Sequence, residues 1–104
     1  MRTAIHREWD NVKDEAILKK YYQFVLKDSQ YIMEKIQEGI VKNVQGWTDG
    51  TGHIEHLIEF DDAEAFAKFW SDEEWQLLQI EFFPLINNFK IRIMRSVMLP
   101  KNIE

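Results

Sequence analysis

The stretch G-W-T-D-G-T-G-H-I-E-H-L-I-E-F, residues 46–60, decides between a phosphate-binding loop and a β-hairpin. Its second part, residues 53–60, alternates apolar and polar side chains as a half-buried strand does, and residues 40–47 also fit a strand. Asp49-Gly50 lies between the two, and glycine readily takes the positive φ that a tight hairpin turn needs. Because a phosphate loop leads from a strand into a helix, the pattern predicts a hairpin with these residues in its turn.

Helical periodicity lies on both sides of this hairpin. Apolar residues recur every three or four positions over residues 14–38, which predicts a long helix. After the hairpin, Asp62 is suited to cap a helix that ends near residue 70. The S-x-x-E pattern that begins at Ser71 is a capping box, so a further helix is predicted from Ser71 to about residue 84.

Two more strands complete the predicted sheet. Residues 3–9 and 89–99 fit strands, a turn is predicted at Asn87-Asn88, and Pro100 ends the last strand. The order of strand, helix, strand, strand, helix, strand is the ferredoxin-like βαββαβ pattern, in which the helices cover one face of an antiparallel sheet. The predicted fold class is therefore α+β.

The predicted strands have two different faces, because successive side chains in a strand point to opposite sides of the sheet. One face is apolar and is predicted to lie under the helices: Ile5, Trp9, Ile54, Ile58, Phe60, Ile91, Ile93, Val97 and Leu99. The other face is mixed: Ala4, His6, Glu8, His53, Glu55, Leu57, Glu59, Lys90, Arg92, Met94, Ser96 and Met98. A mixed face indicates a sheet covered by a second subunit, with a partly polar cavity between the two sheets. An exposed face with a few stray apolar residues is the alternative.

Three polar residues fall on the apolar face. His53 and His56 are three residues apart on one strand and point to opposite sides, so His56 is predicted to be a core histidine. Arg7 and Arg95 also fall there. They could lie at strand ends, reach around the helices or follow a β-bulge that shifts the register, and these alternatives stay open.

The mixed face supplies the candidate site residues. A histidine beside a glutamate in a partly buried cavity can titrate near neutral pH and act as a base, so His6 and Glu55 are predicted to be catalytic. We also predict that His53, Arg92, Trp47 and Met94 contact a bound ligand.

The same residue types are also metal donors. The first and third strands are neighbours in the usual ferredoxin-like order, so His6 or Glu8 could join His53 and Glu55 around Zn²⁺ or Fe²⁺. The alternative is a hydrogen-bonded or ion-paired patch that includes Arg92. We predict that no metal and no other cofactor is bound, with a divalent metal as the alternative.

Composition and length exclude several classes of function. The chain has no cysteine, which excludes disulfides, thiolate metal sites and cysteine nucleophiles. Eighteen acidic against thirteen basic residues, without a basic stripe, argue against a nucleic-acid partner. No apolar run approaches the ~18 residues of a membrane span, and no signal peptide is evident. We expect a cytoplasmic protein of one domain over residues 1–104, with its core at 3–100 and a short tail at 101–104.

The layout of residues 3–100 resembles the dimeric α/β-barrel group of ferredoxin-like proteins, which includes the antibiotic-biosynthesis-type monooxygenases. The resemblance is carried by the run H-L-I-E-F-D-D-A-E-A-F-A-K-F-W-S-D-E-E-W, by the later F-F-P-L-I, and by the closing I-R-I-M-R-S-V-M-L-P. It implies a homodimer whose sheets meet face to face. It also implies that a ligand lies inside the barrel or between sheet and helices.

Members of this group differ in activity. Haem-degrading members use an asparagine, a tryptophan and a histidine around the haem; this chain offers Asn43, Trp47, Trp70 and three histidines, but none in a predicted helix, where that ligand is expected. Cofactor-free members act on polycyclic phenols in an apolar pocket. The resemblance therefore implies a monooxygenase-like enzyme acting on an aromatic or apolar small molecule in the barrel cavity. The alternative is a non-catalytic ligand-binding, regulatory or structural dimer.

Overall fold

A computed structural model describes residues 2–97, which form one antiparallel sheet with its helices on a single face. The elements are β1 (Thr3–Asn11), α1 (Glu15–Gln37), β2 (Asn43–Thr48), β3 (His53–Phe60), α2 (Ala63–Trp70), α3 (Glu73–Phe82), a 3₁₀ turn (Phe83–Leu85) and β4 (Ile86–Arg95). This order confirms the predicted ferredoxin-like fold, with the second helical segment divided into α2 and α3. The last strand was predicted over 89–99, but β4 begins at Ile86 and ends at Arg95, so residues 96 and 97 lie outside it. Met98, Leu99, Pro100 and the tail at 101–104 lie outside the described residues.

The strands are ordered β2-β3-β1-β4, so β1 and β3 are central neighbours as predicted. The hairpin between β2 and β3 is confirmed, with Gly50 at φ 83° and Gly52 at φ 95° in its turn. Those angles favour glycine, because other residues rarely adopt them. The backbone N–H of Asn11 donates to the Gly52 carbonyl at 2.8 Å, which holds the turn against the end of β1.

Helix α1 is continuous and lies across the sheet. Asp14 caps its start by accepting a hydrogen bond from the Ile17 N–H at 3.0 Å. Its buried side is formed by Tyr21, Phe24, Asp28, Tyr31 and Ile32. An acidic residue therefore occupies the middle of an otherwise aromatic and aliphatic stripe.

The core lies between α1, α3 and the two central strands. Its buried apolar residues are Ile5, Trp9, Tyr21, Phe24, Tyr31, Ile32, Val41, Ile58, Phe60, Phe69, Trp75, Leu78, Phe82 and Ile86. Phe82 stacks on Phe24 with ring centroids 4.9 Å apart and meets Trp9 edge-on at 4.8 Å. Such aromatic pairs add specific geometry to the burial of a large apolar area.

Two local predictions about helix and strand ends are wrong. Asp72 rather than Ser71 caps α3, accepting from the Glu74 N–H at 3.1 Å, while Ser71 ends α2. The expected turn at Asn87-Asn88 lies inside β4, where Asn88 has φ 55° and the pairing with β1 shifts register. Asn88 donates from Nδ2 to Asp10 at 2.8 Å, so this irregularity is held by a side-chain contact.

The outer part of the apolar face is not covered as predicted. Ile93 lies directly opposite the fully buried Ile5, yet 49% of its surface is exposed, and Ile91 is 37% exposed. Val97 is exposed too. The helices lie over β1 and β3 and reach only the first part of β4, where Phe89 meets Phe82 of α3 edge-on. The face was therefore predicted correctly, but the cover over the later part of β4 was not. Within residues 2–97, no helix is long and apolar enough to cross a membrane.

Candidate functional site

A buried arginine forms the centre of a polar cluster between sheet and helices. Arg7 of β1 is only 1% exposed. One terminal nitrogen donates to Asp28 Oδ2 at 3.2 Å and to His56 Nδ1 at 3.0 Å, and the other donates to Gln79 Oε1 at 3.2 Å. The guanidinium carbon also lies 5.0 Å from the Trp75 ring centroid. A charge buried this deeply persists because it is both paired and hydrogen-bonded.

This cluster answers the question of the two arginines. Arg7 is a core residue, while Arg95 lies exposed at the last position of β4. Asp28 on the buried stripe of α1 balances the charge of Arg7. Sequence reasoning missed the cluster. The available signal was an arginine and an aspartate at two inward positions that should both be apolar.

His56 is confirmed on the helix side, and its surroundings make it more than a packed core residue. It lies directly opposite Arg7 in the β1–β3 register. Burial and the neighbouring Arg7 charge lower the pKa of His56 to about 3. Arginine only donates, so Nδ1 must accept and the neutral imidazole carries its proton on Nε2. Among the described residues, Nε2 has no hydrogen-bond partner.

His56 also lines a cleft of about 240 Å³ between α1 and the β2 edge of the sheet. The other lining residues are Ser29, Ile32, Met33, Val44, Gln45 and Gly46. Gly46 faces His56 across the β2–β3 pair, and a Cβ at Gly46 would lie 3.8 Å from Cδ2 of the imidazole. The missing side chain of Gly46 therefore keeps the way to the histidine ring open. We call this space the helix-side cleft.

The predicted site residues lie on the opposite side of the sheet, here called the outer face. The predicted contact is present: His6 Nε2 lies 3.1 Å from Glu55 Oε1. In the strand registers Trp47 lies opposite Glu55, Arg92 opposite His6, and Met94 opposite Ala4. These residues lie on one face of the sheet, as the alternation of side chains along each strand predicted. Their catalytic and ligand-binding roles stay predictions.

His53 is not brought to the pair. Its Nδ1 lies 2.8 Å from Asp10 Oδ1, and this hydrogen bond raises the pKa of His53 above its ordinary value. The alternative metal trio of His6, His53 and Glu55 therefore does not form. Among the described residues it is Glu8 that joins His6 and Glu55.

Haem, which the resemblance raised as an alternative, does not fit the described residues. All three histidines lie in strands, whereas the resemblance places the haem ligand in a helix. The helix-side cleft, at about 240 Å³, is also smaller than the roughly 300–1,000 Å³ of ordinary ligand pockets. A porphyrin would not enter it.

A wider groove of about 490 Å³ runs along the outward side of α1. Its lining residues are Glu15, Leu18, Lys19, Tyr22, Gln23 and Leu26. The polar ones are all exposed, so they present no desolvated group for chemistry.

No protein-family model and no curated protein matches this sequence significantly, whereas many solved structures share its fold. A variant of SnoaB, a cofactor-independent oxygenase from Streptomyces nogalater, superposes with a TM-score of 0.71 over 96% of this chain and 97% of that chain, at 6% identity. A candidate antibiotic biosynthesis monooxygenase from Deinococcus radiodurans gives 0.71 over 95% and 96%, at 13% identity.

A further antibiotic biosynthesis monooxygenase is 20% identical, with a TM-score of 0.60 over 94% of this chain and all of that chain. Identities this low show a common fold, and a common fold does not establish a common reaction. The chain therefore has the ferredoxin-like fold of the antibiotic-biosynthesis-type monooxygenases.

Proposed function

We propose that this protein is a monooxygenase-like enzyme that acts on a small phenolic molecule bound in the helix-side cleft. The observation that carries the proposal is the neutral His56 in that cleft, held from behind by the buried Arg7. The fold that the chain shares with a cofactor-independent oxygenase supports the type of reaction. Reactive groups that are partly desolvated in a cleft are typical of active sites.

The cleft supports a substrate of one or two aromatic rings. Ile32, Met33 and Val44 give it apolar walls, and Ser29 and Gln45 add polar groups near the surface. Its volume of about 240 Å³ lies below the roughly 300 Å³ at which pockets for drug-sized ligands start. The substrate is therefore small, with no more than two rings.

In this proposal His56 acts as a hydrogen-bond donor. A histidine whose pKa is about 3 is a weak base, but its Nε2–H can donate to a phenolate oxygen. The Arg7 charge behind the ring strengthens that donor and favours the ionised phenol. The electron-rich phenolate then supplies all the electrons for reaction with O₂: the ring C–H opposite the phenol oxygen becomes a second C=O, which gives a quinone, and one H₂O is released.

Oxygen uptake by the purified protein, measured against a panel of one- and two-ring phenols with activated ring positions, tests this site. Gly46→Val is expected to lower kcat/KM at least about tenfold, because its branched side chain would reach the His56 ring. Gly46→Ala is the matched control, since a Cβ alone makes an ordinary contact at 3.8 Å. Full activity in the valine variant, with unchanged stability in urea, would overturn the location.

The same assay separates this site from the outer face. His6→Ala and Glu55→Ala are expected to keep most of the activity if the helix-side cleft holds the substrate. If His6→Ala and Glu55→Ala are both inactive while Gly46→Val is active, the reaction takes place at the His6–Glu55 pair. Ligand binding without oxygen uptake would favour the non-catalytic alternative.

We also propose that two copies associate through the outer face, in the cytoplasm. No helix of the described chain covers this face, where Trp47 is 52% and Met94 42% exposed. Light scattering at micromolar concentration is expected to give twice the 12.6 kDa chain mass. Met94→Lys should shift the protein toward a monomer, because it places a charge on the contact surface. A monomeric wild-type protein would contradict this assembly.

A further inference from the structure

We infer that the outer face carries a divalent metal site formed by His6, Glu8 and Glu55. One donor atom from each residue lies within 4.8 Å of the other two. His6 and Glu8 are two residues apart on β1 and so share a face, while Glu55 lies opposite Glu8 on β3. The three donors thus come from the two central strands of the sheet.

The pairing of the two glutamates points to a cation. Like charges directly opposite each other across an antiparallel pair destabilise a sheet. Glu8 is only 16% exposed at its side chain, and its carboxylate makes no hydrogen bond within the described chain. A cation between Glu8 and Glu55 would offset the repulsion of the two carboxylates and would give the Glu8 carboxylate a direct partner.

The basic groups around Glu8 leave room for that cation. His53 Nε2, Lys90 Nζ and Arg92 come no closer to Glu8 than 3.7, 3.8 and 3.9 Å, which is beyond hydrogen-bond range. In the single chain the Lys90 and Arg92 side chains are 66% and 62% exposed, so they can turn away from Glu8. Their positive charge weakens the attraction of the site for a cation, but their side chains do not occupy the space between the three donor atoms.

The donor set selects the class of metal. One imidazole nitrogen and two carboxylate oxygens suit Zn²⁺, Co²⁺, Mn²⁺ or Fe²⁺, whereas Mg²⁺ and Ca²⁺ prefer oxygen alone. On binding, His6 Nε2 would exchange its 3.1 Å contact with Glu55 for the metal. Three protein ligands leave a position for water or another ligand. The site lies on the opposite side of the sheet from the helix-side cleft, so it does not depend on the proposed oxygenase activity.

Calorimetric titration of the chelator-treated full chain with Zn²⁺, together with the absorption spectrum of bound Co²⁺, tests the site. We expect one Zn²⁺ per chain with micromolar or tighter affinity, and much weaker Mg²⁺ binding. Glu8→Gln and His6→Gln should each weaken Zn²⁺ at least about tenfold, since even second-layer groups contribute that much to metal sites. Glu8→Gln removes one of two opposed carboxylates but also the attraction to Lys90 and Arg92, so urea unfolding of the metal-free variant checks that it is folded.

The chain offers a control for each ligand type. His56→Gln removes a histidine on the other side of the sheet, and Glu59→Gln removes a carboxylate of the outer face that pairs with Arg2. Both should leave the Zn²⁺ affinity within about twofold. No Zn²⁺ binding at millimolar concentration, or equal losses in the control and ligand variants, would overturn the site.

Discussion

Replacing Asp28 with leucine is expected to lower the free energy of unfolding by about 3–5 kcal/mol, because it leaves the Arg7 charge buried without a counter-charge. Arg7 is 1% exposed and its other acceptors, His56 and Gln79, are neutral. Its Nε and the second oxygen of Asp28 already lack partners among the described residues. A loss of this size is a large share of the roughly 5–15 kcal/mol that holds a domain together.

Urea unfolding of the single and double variants measures the effect. Arg7→Met with Asp28→Leu should recover at least half of the loss, since both charges are then removed from the core. Lys27→Ala is the matched surface control. It breaks the exposed 3.0 Å pair of Lys27 with Glu81 and should cost below about 1 kcal/mol. Additive losses from Arg7→Met and Asp28→Leu would mean that the pair is not the source of the stability.

The fold could be predicted because its information is local. The hairpin depends on a few turn residues, and the faces of β1 and β3 depend on alternation within each strand. The extent of helix cover is not local, which is why Ile91 and Ile93 were wrongly placed under the helices. Their side of the sheet follows from strand register, but the width of the helical layer follows from how α1 and α3 settle on β1 and β3.

The candidate site divides in the same way. The contact of His6 with Glu55 could be anticipated from the order of the strands. The contact of Arg7 with His56 follows from the same pairing, yet it was missed because each residue was judged against its own strand. Asp28 taken alone is only a polar residue within the apolar stripe of α1. Each partner of a buried ion pair is an exception to the apolar pattern of its own strand or helix. The pair can be recognised only when both elements are placed in one core.

Acid is expected to destabilise the protein through His56, by about 1.4 kcal/mol for each pH unit below its ordinary pKa. The pKa of His56 falls from 6.5 to about 3 on folding. Above pH 6.5 neither state binds the proton, so His56 makes no contribution. Between these two values the unfolded chain binds a proton that the folded chain does not, and unfolding becomes easier. From pH 7 to pH 4 this amounts to about 3 kcal/mol.

His56→Gln isolates this effect, because glutamine can still accept the hydrogen bond from Arg7 but does not titrate. The stability difference between wild type and variant, from urea unfolding, should change by about 3 kcal/mol between pH 7 and pH 4. Comparison with the variant is needed because His53 acts oppositely: Asp10 raises its pKa, so its stabilisation is present below pH 6.5 and is lost as pH rises through the folded pKa. Parallel curves would show that His56 titrates normally. The Arg7 charge would then not keep His56 neutral, and the proposed role of His56 as a hydrogen-bond donor strengthened by Arg7 would be wrong.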